Sequence, residues 1–197
     1  MSEEARLDRA KLAEAFRLMG EVLAHDKIVG EIHVYGGSAI MLQLQAREST
    51  LDVDVVVTSG HGSVMKAMMA VRQKLKLPSS WLNDAVSIFA SRHEKEGDFF
   101  PFGVYPSYNR PFLKVMLARP EYVLAMKIEA LERGEPRDLR DVHLLASHVG
   151  ARSVDELLAL RDQYFGEKPI SNEVKRLLSN QTFSGMESTN DETRKPR

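Results

Sequence analysis

Hydrophobic and polar positions alternate in two rhythms along this chain, helical at both ends and strand-like through the middle. Leu7, Leu12, Phe16, Met19 and Leu23 recur at spacings of three to five with charges between them, which predicts an amphipathic helix over residues 4–24. The short apolar run Ile32 to Tyr35 predicts a buried strand, broken by Gly36-Gly37. Ser38 then suits the cap of a helix continuing through Ala39, Ile40, Met41, Leu42 and Leu44. Leu51 to Val57 alternates before becoming wholly β-branched, a strand pattern. After the turn Ser59-Gly60-His61-Gly62, residues 64–75 read as a helix with a Met-rich apolar face and Lys/Arg opposite. Residues 81–90 are mixed, with a helical start. Residues 91–108 combine charge, Gly, Pro and aromatics and read as a long loop or hairpin. Phe112 to Leu117 predicts another strand.

From Pro120 the rhythm becomes helical. Pro120 suits a first helical position, and the helix should reach about Glu132 before Gly134 ends it. A second helix opens at Glu135-Pro136 and closes at Gly150, and a third opens at Ser153-Val154-Asp155-Glu156, the spacing of a capping box. One or two further turns span Asn172 to Leu178, and the polar stretch from Phe183 to Arg197 predicts a frayed tail. The expected division is a core over residues 1–117, a helical subdomain over 118–181 and a disordered tail over 182–197.

Composition narrows the chemistry. The 197 residues carry a formal charge of −1, so nothing global attracts nucleic acid or an anionic membrane. Any such affinity must be local or come through a metal. No cysteine is present, which removes disulfides, thiolate zinc sites and cysteine nucleophiles. The N-terminus lacks a signal-peptide apolar stretch, and no run approaches the roughly 18 apolar residues of a membrane helix. The expectation is a soluble, cytoplasmic protein without a membrane partner.

Two short patterns carry candidate chemistry. Gly36-Gly37-Ser38 lies where a strand gives way to a helix. There, glycines allow phosphate oxygens to approach backbone N–H groups, and a helix start favours anions. Asp52 and Asp54 stand at i and i+2 on a predicted strand, so they would project from one face with Val53 and Val55 buried behind. Neighbouring carboxylates repel unless a cation joins them, and hard oxygen ligands favour Mg²⁺ or Mn²⁺. Each pattern alone is commonplace as a tight turn or as a solvated acid pair. On consecutive strands bridged by one helix, they outline a site for a metal–nucleoside triphosphate complex.

Together they resemble the nucleotidyltransferase superfamily, of polymerase-β-like fold, in which an hG[GS] turn precedes a Dh[DE]h strand. Thirteen residues separate Ser38 from Asp52 here, and Thr50-Leu51-Asp52-Val53-Asp54 resembles a bacterial form of the second motif. A later constellation resembles the AbiEii/MenT-like toxin branch. It is a helix with Lys127, Ala130 and Arg133, followed by Arg137-Asp138-Leu139-Arg140-Asp141. On its own, that second block is also what a helix start with dipole-favoured acids and paired arginines would show.

The resemblance implies an α+β nucleotidyltransferase fold: a mixed β-sheet flanked by helices, with a C-terminal helical bundle. It implies transfer of a nucleoside monophosphate from an NTP to a hydroxyl acceptor. Asp52 and Asp54 would hold Mg²⁺ (or Mn²⁺), and Gly36, Gly37 and Ser38 would cradle phosphates. Lys127 would contact the triphosphate, and Asp138 or Asp141 would be the late catalytic acid. A tRNA acceptor, in the toxin of a toxin–antitoxin pair with a cognate partner, is one reading. A protein- or antibiotic-modifying enzyme is a second, and a catalytically silent binding or antitoxin partner is a third. The third is motivated by the strand Phe112 to Leu117, which holds Lys114 but no carboxylate, leaving Asp84 and Asp98 as remote substitutes.

Other features exclude more than they suggest. The six histidines show no H-x-x-x-H spacing for zinc, and neither a P-loop nor a dinucleotide fingerprint is present. Met41, Met65, Met68 and Met69 read as core filling, and Trp81 as a core anchor. Lys66, Arg72, Lys74 and Lys76 read as a solvated basic face.

Overall fold

The computed structural model describes residues 6–44, 48–135 and 138–180. Among them, seven α-helices, a mixed five-stranded sheet and a two-stranded ribbon make the expected α+β fold. The chain divides into two compact units: residues up to Ala90 with Lys95–Arg119, and Ser91–Glu94 with the chain from Pro120 onward.

The first unit opens with a departure from the predicted helix. Leu7–Asp8 form a strand, β1, paired antiparallel with β3, Ser49–Thr50. The helix α1 therefore starts only at Arg9 and runs to Asp26, with the Asp8 carboxylate accepting from the Lys11 N–H at 2.7 Å as its cap. Leu7 is buried as predicted, but from a strand. Next come β2 (Gly30–Val34), α2 (Gly36–Leu44), β4 (Val53–Ser59) and α3 (His61–Leu75). The two-residue β5 (Leu82–Asn83) leads into a 3₁₀ turn, Ala85–Ile88, and the long hairpin β6 (Phe99–Ser107) and β7 (Arg110–Ala118) closes the unit.

The sheet order is β5-β4-β2-β7-β6. β2 pairs antiparallel with β4 and parallel with β7, β4 pairs parallel with β5, and the hairpin is antiparallel. Opposed residues share a face, so register assigns the two sides. Val34, Val55 and Leu117 are aligned on one face and, with Ile32, Leu113 and Val115, are fully buried. Against this sheet lie α1, with Leu12, Phe16, Met19 and Leu23 buried, and α3, with Val64, Ala67, Met68 and Val71 buried. Each large side chain so covered contributes about 1.5–3 kcal/mol. The packing is close: a Cβ on Gly20 of α1 would stand 2.5 Å from the Tyr105 carbonyl carbon of β6. The opposite face carries Glu31, His33, Val56 and Lys114. There Glu31 accepts from Thr58 at 3.0 Å, lies 3.1 Å from His33 Nε2 and 4.0 Å from Lys114 Nζ.

Several expectations change in detail. Met69 is 56% exposed, because α3 turns Ala67, Met68 and Val71 inward and Met69 falls on the outer side. Lys66 is not merely solvated: it bonds Asp26 at 2.7 Å and ties α3 to α1. Residues 81–90 supply a short strand and a 3₁₀ turn instead of a helix, and 99–107 form a strand whose register shifts between Pro101 and Gly103 and between Tyr105 and Pro106. Trp81 is fully buried, its indole N–H without an acceptor among the described residues.

The second unit holds α4 (Pro120–Glu132), α5 (Leu139–Val149), α6 (Val154–Phe165) and α7 (Asn172–Leu178). Pro120 begins α4 and Gly150 caps α5 in the left-handed region, as predicted. Ser153 accepts from the Glu156 N–H at 3.2 Å, while Glu156 reaches back to the Arg152 N–H at 2.7 Å. The Tyr122 hydroxyl accepts from Ser91 N–H and donates to Glu94, each at 2.7 Å, which binds residues 91–94 to α4. The start of the second predicted helix at Pro136 and the expected tail from residue 182 lie outside the described residues.

Candidate active site

The two short motifs meet in space within the first unit. Tyr35 N–H donates to the Asp54 carbonyl at 2.9 Å, extending the β2–β4 ladder to the point where α2 begins. Gly36 follows with φ of +60°, and a Cβ built there would lie 2.6 Å from Asp54 Oδ2. The Asp54 carboxylate therefore sits against the first turn of α2. No other residue type could occupy position 36 without displacing it, which is the physical reason for glycine here. Helix geometry leaves the leading N–H groups of α2 without intrahelical acceptors, and the dipole adds partial positive charge.

Ser38 does not act as a helix cap. Helix α2 already starts at Gly36, Ser38 is 1% exposed, and its hydroxyl donates to the Tyr35 carbonyl at 3.0 Å. The hydroxyl is used within the turn, so the main chain of Gly37 and Ser38 is what remains to meet an anion.

Asp52 and Asp54 differ in setting. Asp54 lies on β4 between fully buried Val53 and Val55, as strand alternation requires. Asp52 precedes the strand: Ser49–Thr50 form the separate β3, and Leu51 and Asp52 make the link. The Thr50 hydroxyl donates to the Asp52 carbonyl at 3.0 Å and holds that link. The two-residue period that placed both acids on one strand face thus applies to Asp54 alone. Both acids are partly exposed.

Sequence reasoning missed Asn83. It pairs with Asp54 in the β4–β5 register, and its amide nitrogen donates to Asp54 Oδ1 at 3.2 Å. A two-residue strand has too little alternation to be recognised, so no sequence signal marked it.

The other predicted residues lie in the second unit. Lys127, on α4, places Nζ 2.6 Å from Asp138 Oδ1 and 3.0 Å from Asp141 Oδ2. Asp138 is the residue before α5, yet its carboxylate makes no capping bond and turns to Lys127. Asp141 is 2% exposed, while the Asp138 and Lys127 side chains are 15% and 16% exposed. One ammonium thus bridges two carboxylates in a mostly enclosed setting. Both acids pair with Lys127. Arg140 is exposed, and Arg137 lies outside the described residues.

The substitutes for a third strand carboxylate are engaged elsewhere. Asp84 lies 3.5 Å from His61 Nε2, and Asp98 accepts from the Lys95 N–H at 2.6 Å. Lys114, the charged residue of the Phe112 to Leu117 strand, faces Glu31. Among the described residues, no three His, Asp or Glu side chains converge as a metal cluster. None of the described helices is long and apolar enough to cross a membrane.

Residues 96–192 match the family model described as "Nucleotidyl transferase AbiEii toxin, Type IV TA system". The matched span takes in the β6–β7 hairpin and α4 to α7, hence Lys127, Asp138 and Asp141; the Gly36-Gly37-Ser38 turn and the two N-terminal aspartates precede it. No curated protein and no solved structure matches the chain. Over residues 96–192 the chain is thus similar to the AbiEii nucleotidyl transferase toxins, and its mixed sheet flanked by helices is consistent with a nucleotidyltransferase-like fold.

Proposed function

We propose that the chain is a metal-dependent nucleotidyltransferase that moves a nucleoside monophosphate from an NTP to a hydroxyl, with a tRNA as acceptor. The observation that carries this reading is the approach of the Asp54 carboxylate to Gly36 at the start of α2. It supports joining the phosphate-facing turn and the acid pair into one site. The donor set suits Mg²⁺ or Mn²⁺, since Mg²⁺ is typically held by one or two carboxylates and completes its shell with water and substrate phosphates. Asp52 and Asp54 would be the protein ligands. When bound, the metal would neutralise phosphate charge and lower the pKa of an attacking hydroxyl.

The main-chain N–H groups of Gly37 and Ser38 orient the phosphates. The acceptor oxygen attacks the α-phosphorus, the bond to the bridging β-phosphate oxygen breaks, and pyrophosphate leaves with that electron pair. For the helical unit the resemblance supplies the roles: Lys127 offsets triphosphate charge, and a carboxylate accepts the hydroxyl proton. Of the two acids, Asp138 is the more accessible and is assigned that proton. Asp141, almost fully buried, holds Lys127.

The family description supports a toxin–antitoxin setting, with a cognate antitoxin as partner. The test is incubation of the purified protein with Mg²⁺ and each labelled NTP, alongside bulk tRNA or lysate protein. Label on tRNA that disappears with Asp54→Ala is the expected result. Label on protein instead would replace the tRNA reading with protein modification. Transfer surviving both Asp52→Ala and Asp54→Ala would sink the site assignment.

A further inference from the structure

Asn83 lies beside Asp54 on the neighbouring parallel strand and in register with it. Its amide nitrogen donates to Asp54 Oδ1 at 3.2 Å, and its amide oxygen accepts from the Ala85 N–H at 3.2 Å. A carboxylate offers only acceptors and the Ala85 N–H only a donor, so one orientation of the amide satisfies both. The planar group is thus fixed at each end, by the strand acid on one side and by the 3₁₀ turn Ala85–Ile88 on the other. The last torsion of an aspartate is intrinsically broad, so an unsupported carboxylate samples many orientations. A ligand carboxylate needs an outer partner to be held ready for a cation.

We propose that Asn83 is a positioning residue of the metal–nucleotide site, locking the Asp54 carboxylate against Gly36 and the first turn of α2. The proposal rests on the reading of Asp52 and Asp54 as cation ligands. Asn83 touches neither metal nor nucleotide and acts through Asp54. It also couples the 3₁₀ turn to the acid, since a rotation of the amide breaks both bonds together.

Asn83→Ser separates the two bonds. A serine hydroxyl can still accept from an N–H two residues on, but it is too short to reach Asp54. Mn²⁺ binding to the full chain, alone and with each ribonucleoside triphosphate, is followed by electron paramagnetic resonance for wild type, Asn83→Ser and Asp54→Ala. Melting temperatures are measured in parallel. Losing a hydrogen bond to a charged group is expected to raise the Mn²⁺–nucleotide dissociation constant about tenfold in Asn83→Ser. Melting should stay near wild type, and nucleotidyl transfer should recover as Mn²⁺ is raised.

Wild-type affinity in Asn83→Ser, beside lost affinity in Asp54→Ala, overturns the positioning role and leaves the metal site standing. Unchanged affinity in Asp54→Ala overturns the metal site and this proposal with it. A weakened affinity that tracks a lowered melting temperature and ignores added Mn²⁺ makes Asn83 a folding residue, which also overturns the proposal.

Discussion

At Gly36 the main chain takes φ of +60°, and any Cβ would lie 2.6 Å from Asp54 Oδ2. Gly36→Ala is therefore expected to cost about 1–3 kcal/mol of stability from the left-handed conformation. It should lower Mn²⁺–nucleotide affinity more than that loss of stability explains, because Asp54 must turn away; calorimetry on the folded variant compares the two. A second residue-scale effect concerns Asp26. The bond from Lys66, assisted by His25, holds the Asp26 carboxyl below its ordinary 3.8. A carboxyl depressed in the folded state stabilises the fold above its unfolded pKa, and that contribution fades as pH falls through the folded value. Lys66→Met should move the Asp26 titration upward toward 3.8 by NMR. An unmoved titration would remove Lys66 as the cause.

Within the helical unit, α4 and α6 are joined by a buried arginine. Arg161 is 1% exposed and bonds Glu129 at 2.8 Å, Asp162 at 2.7 Å and the carbonyls of Gly166 and Lys168 at 3.2 and 3.0 Å. Burial works against its charge, but the bonds to Asp162 and Glu129 more than offset this and hold its pKa above the ordinary value. Arg161→Met should cost about 3–5 kcal/mol in urea unfolding, since it strands two carboxylates beside lost donors. In the Lys127 group, one ammonium bonds both Asp138 and Asp141. Asp138→Asn leaves the Lys127–Asp141 bond in place. It is expected to lower the transfer rate with little change in melting, whereas Asp141→Asn should lower melting as well. Equal effects of the two on both readouts would remove the division of roles between them.

For the molecule as a whole, the family match and the folding units do not share a boundary. The match starts at residue 96, inside the sheet-bearing unit. A fragment beginning there keeps β6 and β7 but loses β2, which pairs with β7 across Gly30–Val34, and α1, which packs on both hairpin strands. Leu113, Val115 and Leu117, fully buried in the chain, would be uncovered. The fragment from residue 96 is thus expected to expose its hairpin and aggregate, seen by size exclusion and by dye binding. A monomeric fragment with a native-like sheet spectrum would contradict the role given to β2.

How far the sequence reached is clear from particular residues. Strong local periodicity determined β2, α3, α4 and the strand nature of Val53 to Val57, and the caps at Pro120, Gly150 and Ser153 followed from local backbone chemistry. The motifs named Asp54, Gly36 and Lys127 because their residue types and spacing are local facts. What only tertiary structure decided were pairings between distant segments. Leu7–Asp8 became a strand because Ser49–Thr50 lie beside it, and Leu51 and Asp52 link that ribbon to β4. Leu82–Asn83 became a strand because β4 offers an edge, which brings Asn83 to Asp54. A two-residue strand has almost no propensity of its own; its partner supplies its hydrogen bonds, and that partner is invisible to any reading of neighbouring residues alone.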